Sequence, residues 1–155
     1  MEKFQENIKK AAKSLQVADH MTYVTLPIVN ENRLLIKIFD EIYKSVINSV
    51  NAVLNYEYMY KKIKLYKKNS ENLKTFVQKC AVNYNLTHQQ IKTMLEIINL
   101  NQKHKKSAME FVKQNKIVIL SDNLNTKTLD IIKIKEYLLT AKELLMQVNK
   151  KIKNN

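Results

Sequence analysis

Glycine is missing from this chain altogether, tryptophan too, and proline and cysteine occur once each. Each absence excludes something. Glycine enters left-handed backbone without penalty, so a β-sandwich or barrel would have only asparagine with which to build its many tight turns cheaply. P-loop and Rossmann nucleotide sites are excluded outright, because they need glycine wherever backbone amides approach a phosphate. The lone Cys80 cannot form an intramolecular bridge, which removes a disulfide framework and fits a reducing, cytoplasmic setting. Long apolar runs are missing as well. The longest spans residues 117 to 120, against the roughly 20 apolar residues of a bilayer-spanning helix, and no membrane span is expected. The polar opening, Met1 to Glu6, reads as lacking the apolar core of a signal peptide.

Arginine is nearly absent. Of 27 basic residues only Arg33 is not lysine, and with 14 acidic residues the formal net charge is +13. Such a balance points to nucleic acid, anionic lipid or an acidic protein as partner. Arginine is the preferred reader of guanine and of phosphate in two-pronged contacts, so sequence-specific DNA recognition is not expected, while nonspecific phosphate binding stays open. Lysine, asparagine and isoleucine share AT-rich codons, which offers a second origin for the charge.

What is present is helical periodicity. A length of 155 residues suits one domain over 1–155, able to bury about two thirds of its unfolded surface. Phe4, Ile8, Ala11, Leu15, Ala18 and Thr22 recur in three- and four-residue steps and predict a helix from about Lys3 to Thr25, closed by Pro27. Asn30 is placed to cap a second helix, from about Glu31 to Tyr66, whose apolar residues cover more than one stripe and mark it as central. A shorter helix carries Leu73, Phe76, Val77 and Cys80. Thr87 with Gln90 forms a capping box before a fourth, and Ser107 with Glu110 repeats the pattern before a short helical turn containing Met109, Phe111 and Val112. The β-branched run Ile117 to Leu120 predicts a small hairpin or extended covering segment near residues 116–128. The last helix carries a heptad seam of Ile131, Ile134, Leu138, Ala141, Leu145, Val148 and Ile152, with residues 149–155 expected to fray. The fold class is all-α, a single-domain bundle of about five helices.

Residues 55–68 interleave Tyr56, Tyr58, Tyr60 and Tyr66 with Lys61, Lys62, Lys64, Lys67 and Lys68. Rings can stack on bases while ammonium groups neutralise phosphates, a mixture suited to single-stranded nucleic acid. On a continuous helix Tyr56 and Tyr60 share one face, and Lys61, Lys64 and Lys68 another. The plainer expectation buries the rings and solvates the lysines. A second basic knot, Lys103 to Lys106, sits at a helix end, where cations also stabilise the dipole. His20, His88 and His104 lie far apart without ligand-spaced partners, so neither metal nor cofactor is expected; His20 is expected to be partly buried and hydrogen-bonded. Cys80 reads as packing rather than nucleophile, and Asn85-Leu86-Thr87, a sequon by pattern, as a loop with a cap.

The run from Ala18 to Val29, continued by Asn32-Arg33-Leu34-Leu35, resembles a group of archaeal helical proteins of unassigned function, as do Lys116 to Asp122 and Ile134 to Leu138. The arrangement is similar to HEPN domains, four-helix bundles common in RNA-targeting toxins and defence systems. Catalytic members carry an arginine, four to six residues, then a histidine. Here Arg33 is followed at positions 38–40 by Ile38, Phe39 and Asp40, so the resemblance implies a non-catalytic bundle and supplies no site residues. The expectation is a non-enzymatic bundle acting by protein binding or self-association, since Ile132 and Leu139 add apolar surface beside the final seam. Nonspecific binding of RNA or single-stranded nucleic acid through Tyr56, Tyr60, Lys61, Lys64 and Lys68 is the alternative. A ribonuclease of unrecognised chemistry, with His20 or His104 as base, is a third.

Overall fold

The computed structural model describes the backbone of residues 2–105, 109–113, 116–120 and 126–154, and side-chain surroundings over 2–103 and 129–154. Its helical segments make five rods. α1 (Lys3–His20) passes through a π turn (Met21–Thr25) into α2 (Leu26–Val29); α3 is Leu34–Met59; α4 (Asn69–Thr75) continues as a π turn (Phe76–Cys80) and a 3-10 turn (Ala81–Tyr84); α5 is His88–Lys105 and α6 Ile131–Lys153. Between α5 and α6 lie β1 (Met109–Lys113), β2 (Lys116–Leu120) and β3 (Thr126–Asp130), an antiparallel sheet in the order β1-β2-β3. The all-α bundle with a small hairpin is therefore what forms, the hairpin being β2 with β3, Lys116 opposite Asp130 and Leu120 opposite Thr126. Among the described residues no helix is long and apolar enough to cross a membrane.

The first helix does not stop at Thr25. Leu26 N–H reaches back five residues to the Met21 carbonyl, and this widened turn lets Pro27, which has no N–H to offer and crowds the preceding turn, sit inside the rod. The rod ends instead at Asn30, in left-handed backbone with φ 52°, so Asn30 closes a helix rather than opening one. Asn85 does the same at φ 58°, and Lys61 at φ 60° is the one other left-handed residue described. Without glycine, two of the three chain reversals fall to asparagine.

α3 ends at Met59, not near Tyr66. Beyond Glu57 its side chains leave the core: Tyr58, Met59 and Tyr60 are exposed. The lysines that follow would repel one another along a helix. Lys61 N–H and Lys62 N–H close the end on the Tyr58 and Glu57 carbonyls at 2.9 and 3.0 Å. The segment expected as a helical turn at Met109 to Val112 is instead β1, paired residue for residue with β2, Phe111 opposite Val118; Ser107 lies outside the described residues. Its alternating Met109, Phe111 and Lys113 fit a pleated strand once β2 supplies partners. α6 runs helical through Lys153, where fraying is expected from 149, because Val148 is buried and Ile152 packs against the core. Thr87 and Gln90 exchange their capping-box bonds, at 2.9 and 3.1 Å.

One core gathers residues from α1, α3, α4 and its continuation, α5, β3 and α6, with Ile38, Ile42, Val46, Phe76, Ile97 and Ile134 at its centre. α1 runs antiparallel to α3: Phe4 meets Tyr56 edge to face at 5.1 Å and Asn55 donates to Asn7 at 3.2 Å. Small residues line this pairing. Ala11 and Ala18 on α1, and Ser45, Ser49 and Ala52 on α3, have no exposed surface. The hydroxyls of Ser45 and Ser49 are buried without a hydrogen-bond partner. A buried, unpaired hydroxyl costs about 1–3 kcal/mol. Ser45→Ala with Ser49→Ala is therefore expected to raise unfolding free energy by about 1 kcal/mol or more, whereas Ser49→Leu, with no room between the rods, lowers it by about 1–3 kcal/mol. Urea titration of the three proteins checks both signs.

Candidate functional site

The Tyr/Lys segment is built by the premature end of α3. Tyr56 lies before that end, 5% exposed, its ring against Phe4 and, at 4.9 Å between centroids, against Tyr60. Tyr58, Tyr60 and Tyr66 lie at or beyond it and are 54%, 55% and 47% exposed. The plainer expectation of buried rings thus holds for Tyr56 alone. Lys61, Lys64 and Lys68 do not share a helix face, since residues 60–68 are not helical, but these three and Lys62 and Lys67 are all exposed. From Tyr58 to Lys68 there is no carboxylate, and the nearest, Glu57, is buried and accepts from Tyr84 Oη at 2.8 Å. The segment is also held in shape. Asn72 accepts from Tyr66 N–H at 2.7 Å and donates to the Tyr66 carbonyl at 2.9 Å.

A second surface lies where α1 and α2 pass α6. Lys142 pairs with Asp19 at 2.6 Å, and Lys135 and Lys142 sit over the Tyr23 ring at 5.4 and 5.7 Å. The two rods therefore run antiparallel. Tyr23 shares a shallow depression with Leu138, Leu139, Lys135, Glu136 and Lys142. Around it the surface is unusually apolar: Tyr23, Val24, Ile28 and Val29 from one rod and Ile132, Leu139 and Met146 from the other are all 44% exposed or more. Ile132 and Leu139 are the outward residues that the sequence marks. Met146, one heptad further, completes a row.

Among the described residues no histidine is bonded to a carboxylate. His20 is exposed rather than partly buried, its Nδ1 3.5 Å from Thr25 Oγ1. His88 is exposed at the start of α5, and the His104 side chain lies outside the described residues, as does Lys106 of the second basic knot. Among the described residues no group of three or more His, Cys, Asp or Glu side chains could hold a metal ion. Asn85 and Thr87 serve as loop and cap, flanking the buried Leu86.

Cys80 is buried beside the Tyr84–Glu57 pair, which ties the end of α4's continuation to the end of α3. Burial, and then the Glu57 carboxylate, push its thiol up to about 11 despite the opposing Lys79. The same two neighbours, burial foremost and the Glu57 hydrogen bond next, hold the Tyr84 phenol well above its usual range. This is a buried polar tie.

No family model matches this chain, and no curated protein does.

Only thiolate attacks alkylating reagents. Iodoacetamide at pH 8 is expected to label native Cys80 at least about 100-fold more slowly than the urea-unfolded chain, as followed by mass spectrometry. Equal rates would mean that the thiol is neither buried nor raised.

Proposed function

We propose that this chain is a non-enzymatic, cytoplasmic, HEPN-like bundle that works by binding protein, with a second copy of itself as the first partner. The observation that carries this reading is the row Ile132, Leu139 and Met146, 76%, 57% and 57% exposed, on a helix that already buries its other side. Apolar side chains repeated every seventh residue on an outward face form a seam of the kind helices use on one another. The seam is flanked asymmetrically. At about 100° per residue, Lys135 and Lys142 lie about 50° to one side of the row, and Glu136 and Glu143 about as far to the other. A two-fold axis parallel to α6 sets each lysine flank opposite the partner's glutamate flank. An antiparallel pairing would set lysine against lysine, so the charges choose the parallel arrangement. Tyr23, Val24 and Ile28 on the neighbouring rod widen the surface that a partner would cover.

Sedimentation equilibrium at micromolar concentration is expected to give a dimer, and Leu139→Glu a monomer with unchanged helical dichroism. Lys135→Glu should weaken the dimer, and adding Glu136→Lys should restore it, because the two flanks then exchange signs together. A strict monomer at all concentrations would overturn the reading.

A second reading rests on three exposed tyrosines among five exposed lysines between residues 58 and 68. Such a loop suits single-stranded RNA or DNA without sequence preference: rings stack on bases, and ammonium groups displace counterions. Fluorescence anisotropy of a labelled oligouridylate, titrated between 50 and 200 mM salt, should show affinity falling steeply. Replacing Lys61, Lys64 and Lys68 by glutamine should flatten the log–log salt dependence by about 2, at roughly 0.7 per phosphate contact. An unchanged slope would remove the loop as the site.

A further inference from the structure

A trough of about 850 Å³ opens between α3, α4 and α5, away from the α6 seam. Its floor is aliphatic: Ile47, Val50, Leu54, Leu73, Val77 and Leu95. Carboxamides also line it, Asn51 on α3, Asn69 and Gln78 on the α4 rod, and Asn99 and Gln102 on α5, and they form its rim. None of these five makes a side-chain hydrogen bond within the described chain, whereas Asn72, also on the rim, is committed to Tyr66. Lys74 and Lys92 stand on the rim exposed and without an ion pair. The one carboxylate among the described lining residues, Glu96, already accepts from Tyr137 Oη at 3.0 Å and meets Lys133 at 3.5 Å.

The lining discriminates among occupants. A nucleobase wants an aromatic face, and Tyr43 is the only ring among the described lining residues. A lone acyl chain would satisfy the floor and leave five amides facing it unpaired. An amphipathic helix satisfies its own backbone and would leave the five amides unanswered. From Tyr43 to Leu54 the α3 wall is about 16 Å long. An extended peptide occupies roughly 4.8 by 10 Å in section, and about five of its residues span 16 Å. Its backbone offers a donor and an acceptor at each residue, and a carboxamide is the side chain that answers both. Alternate side chains would drop to the floor while the others meet the rim.

We propose that this trough binds an extended segment of a partner protein, about five residues long, with aliphatic side chains at alternate positions on the floor and carboxylates toward Lys74 and Lys92. The site is independent of the α6 seam and needs no second copy of this chain.

Panning the intact protein against phage-displayed random heptapeptides tests it. Enriched clones are expected to alternate Leu, Ile or Val with Asp or Glu, and a capped synthetic peptide of that consensus should bind in isothermal titration. Asn99→Leu with Gln102→Leu, both solvent-facing and so not needed for folding, should weaken that peptide at least about tenfold. Lys74→Glu with Lys92→Glu should invert the preference, so that panning returns alternating aliphatic and lysine sequences. Leu139→Glu, which breaks the seam proposed for self-association, should leave peptide capture unchanged and thus separates the two sites. No enrichment, a consensus without alternation, or undiminished binding to both rim variants would overturn the proposal. So would uptake of dodecanoate by a trough that ignores every peptide.

Discussion

α3 is buried around most of its circumference, water reaching it mainly along the stripe of Lys37, Glu41, Lys44 and Asn48, and the rest of the molecule is arranged to keep the other sides covered. Ala52, Val53 and Leu54 are consecutive and all buried, and three consecutive residues sweep about 200° of a helix's circumference. A helix closed in that far cannot lie on a surface. It needs rods on several flanks, and it has them: the α1 rod on the side of Ser45, Ser49 and Ala52, α6 where Phe39 meets Tyr137 at 6.1 Å, and the α4 and α5 rods on the remainder. Close approach on the α1 side is possible only because the facing residues are small. The two unpaired serine hydroxyls are the cost of making them small with hydroxyls instead of methyl groups.

Much of this is legible in the order of residues, for a physical reason. Buried stripes must repeat with the helical period, so α1, α5 and α6 announce themselves. The Thr87–Gln90 box and the β-branched run of β2 carry local chemistry that needs no distant partner. The misreadings fall where the deciding contact lies elsewhere in the chain. Pro27 looks like a terminator because proline forbids an ordinary turn; only a widened turn upstream, with no sequence signature, lets the rod continue. α3 looks longer than it is because Tyr58, Tyr60 and Tyr66 are apolar in composition, and nothing local reveals that no helix stands opposite them. β1 looks helical through a Ser-x-x-Glu spacing that matters only if its flank has no strand to pair with, and Ile117 to Leu120 supply one.

The candidate surfaces follow the same division. Exposure of Ile132 and Leu139 can be read from α6 alone, because a heptad seam that is already complete has no room for them. Which tyrosines face water could not be read, since Tyr56 and Tyr60 share a nominal face and the chain leaves helical geometry between them and Lys61. The trough was out of reach of sequence. Its carboxamides are scattered from Asn51 to Gln102 and become neighbours only because three rods splay apart. Asparagine and glutamine at exposed helical positions are ordinary. Five of them around one aliphatic floor, none with an internal partner, are a property of tertiary structure.

Charge acquires meaning in the same way. A net +13 spread evenly would say little beyond solubility. In the folded chain some lysines are neutralised or occupied: Lys142 by Asp19, Lys133 by Glu96 and Glu136, Lys44 by Glu41. Those at 61–68 have no carboxylate among them in the sequence, and Lys74 and Lys92 share a rim whose one acid among the described residues is engaged from behind by α6. Uncompensated cations lie on the α3–α4 end and along the trough, as they also do on α1 (Lys9, Lys10, Lys13) and at the end of α6 (Lys150, Lys153), while the α6 seam carries both signs. A surface with balanced, handed charge fits a copy of itself, because symmetry must bring each residue's flank against the other. A surface of one sign cannot pair with its own copy and requires a partner of different composition. The two kinds of surface sit on different rods of one bundle, and Glu96 ties the trough's lining to the α6 rod through Tyr137 and Lys133.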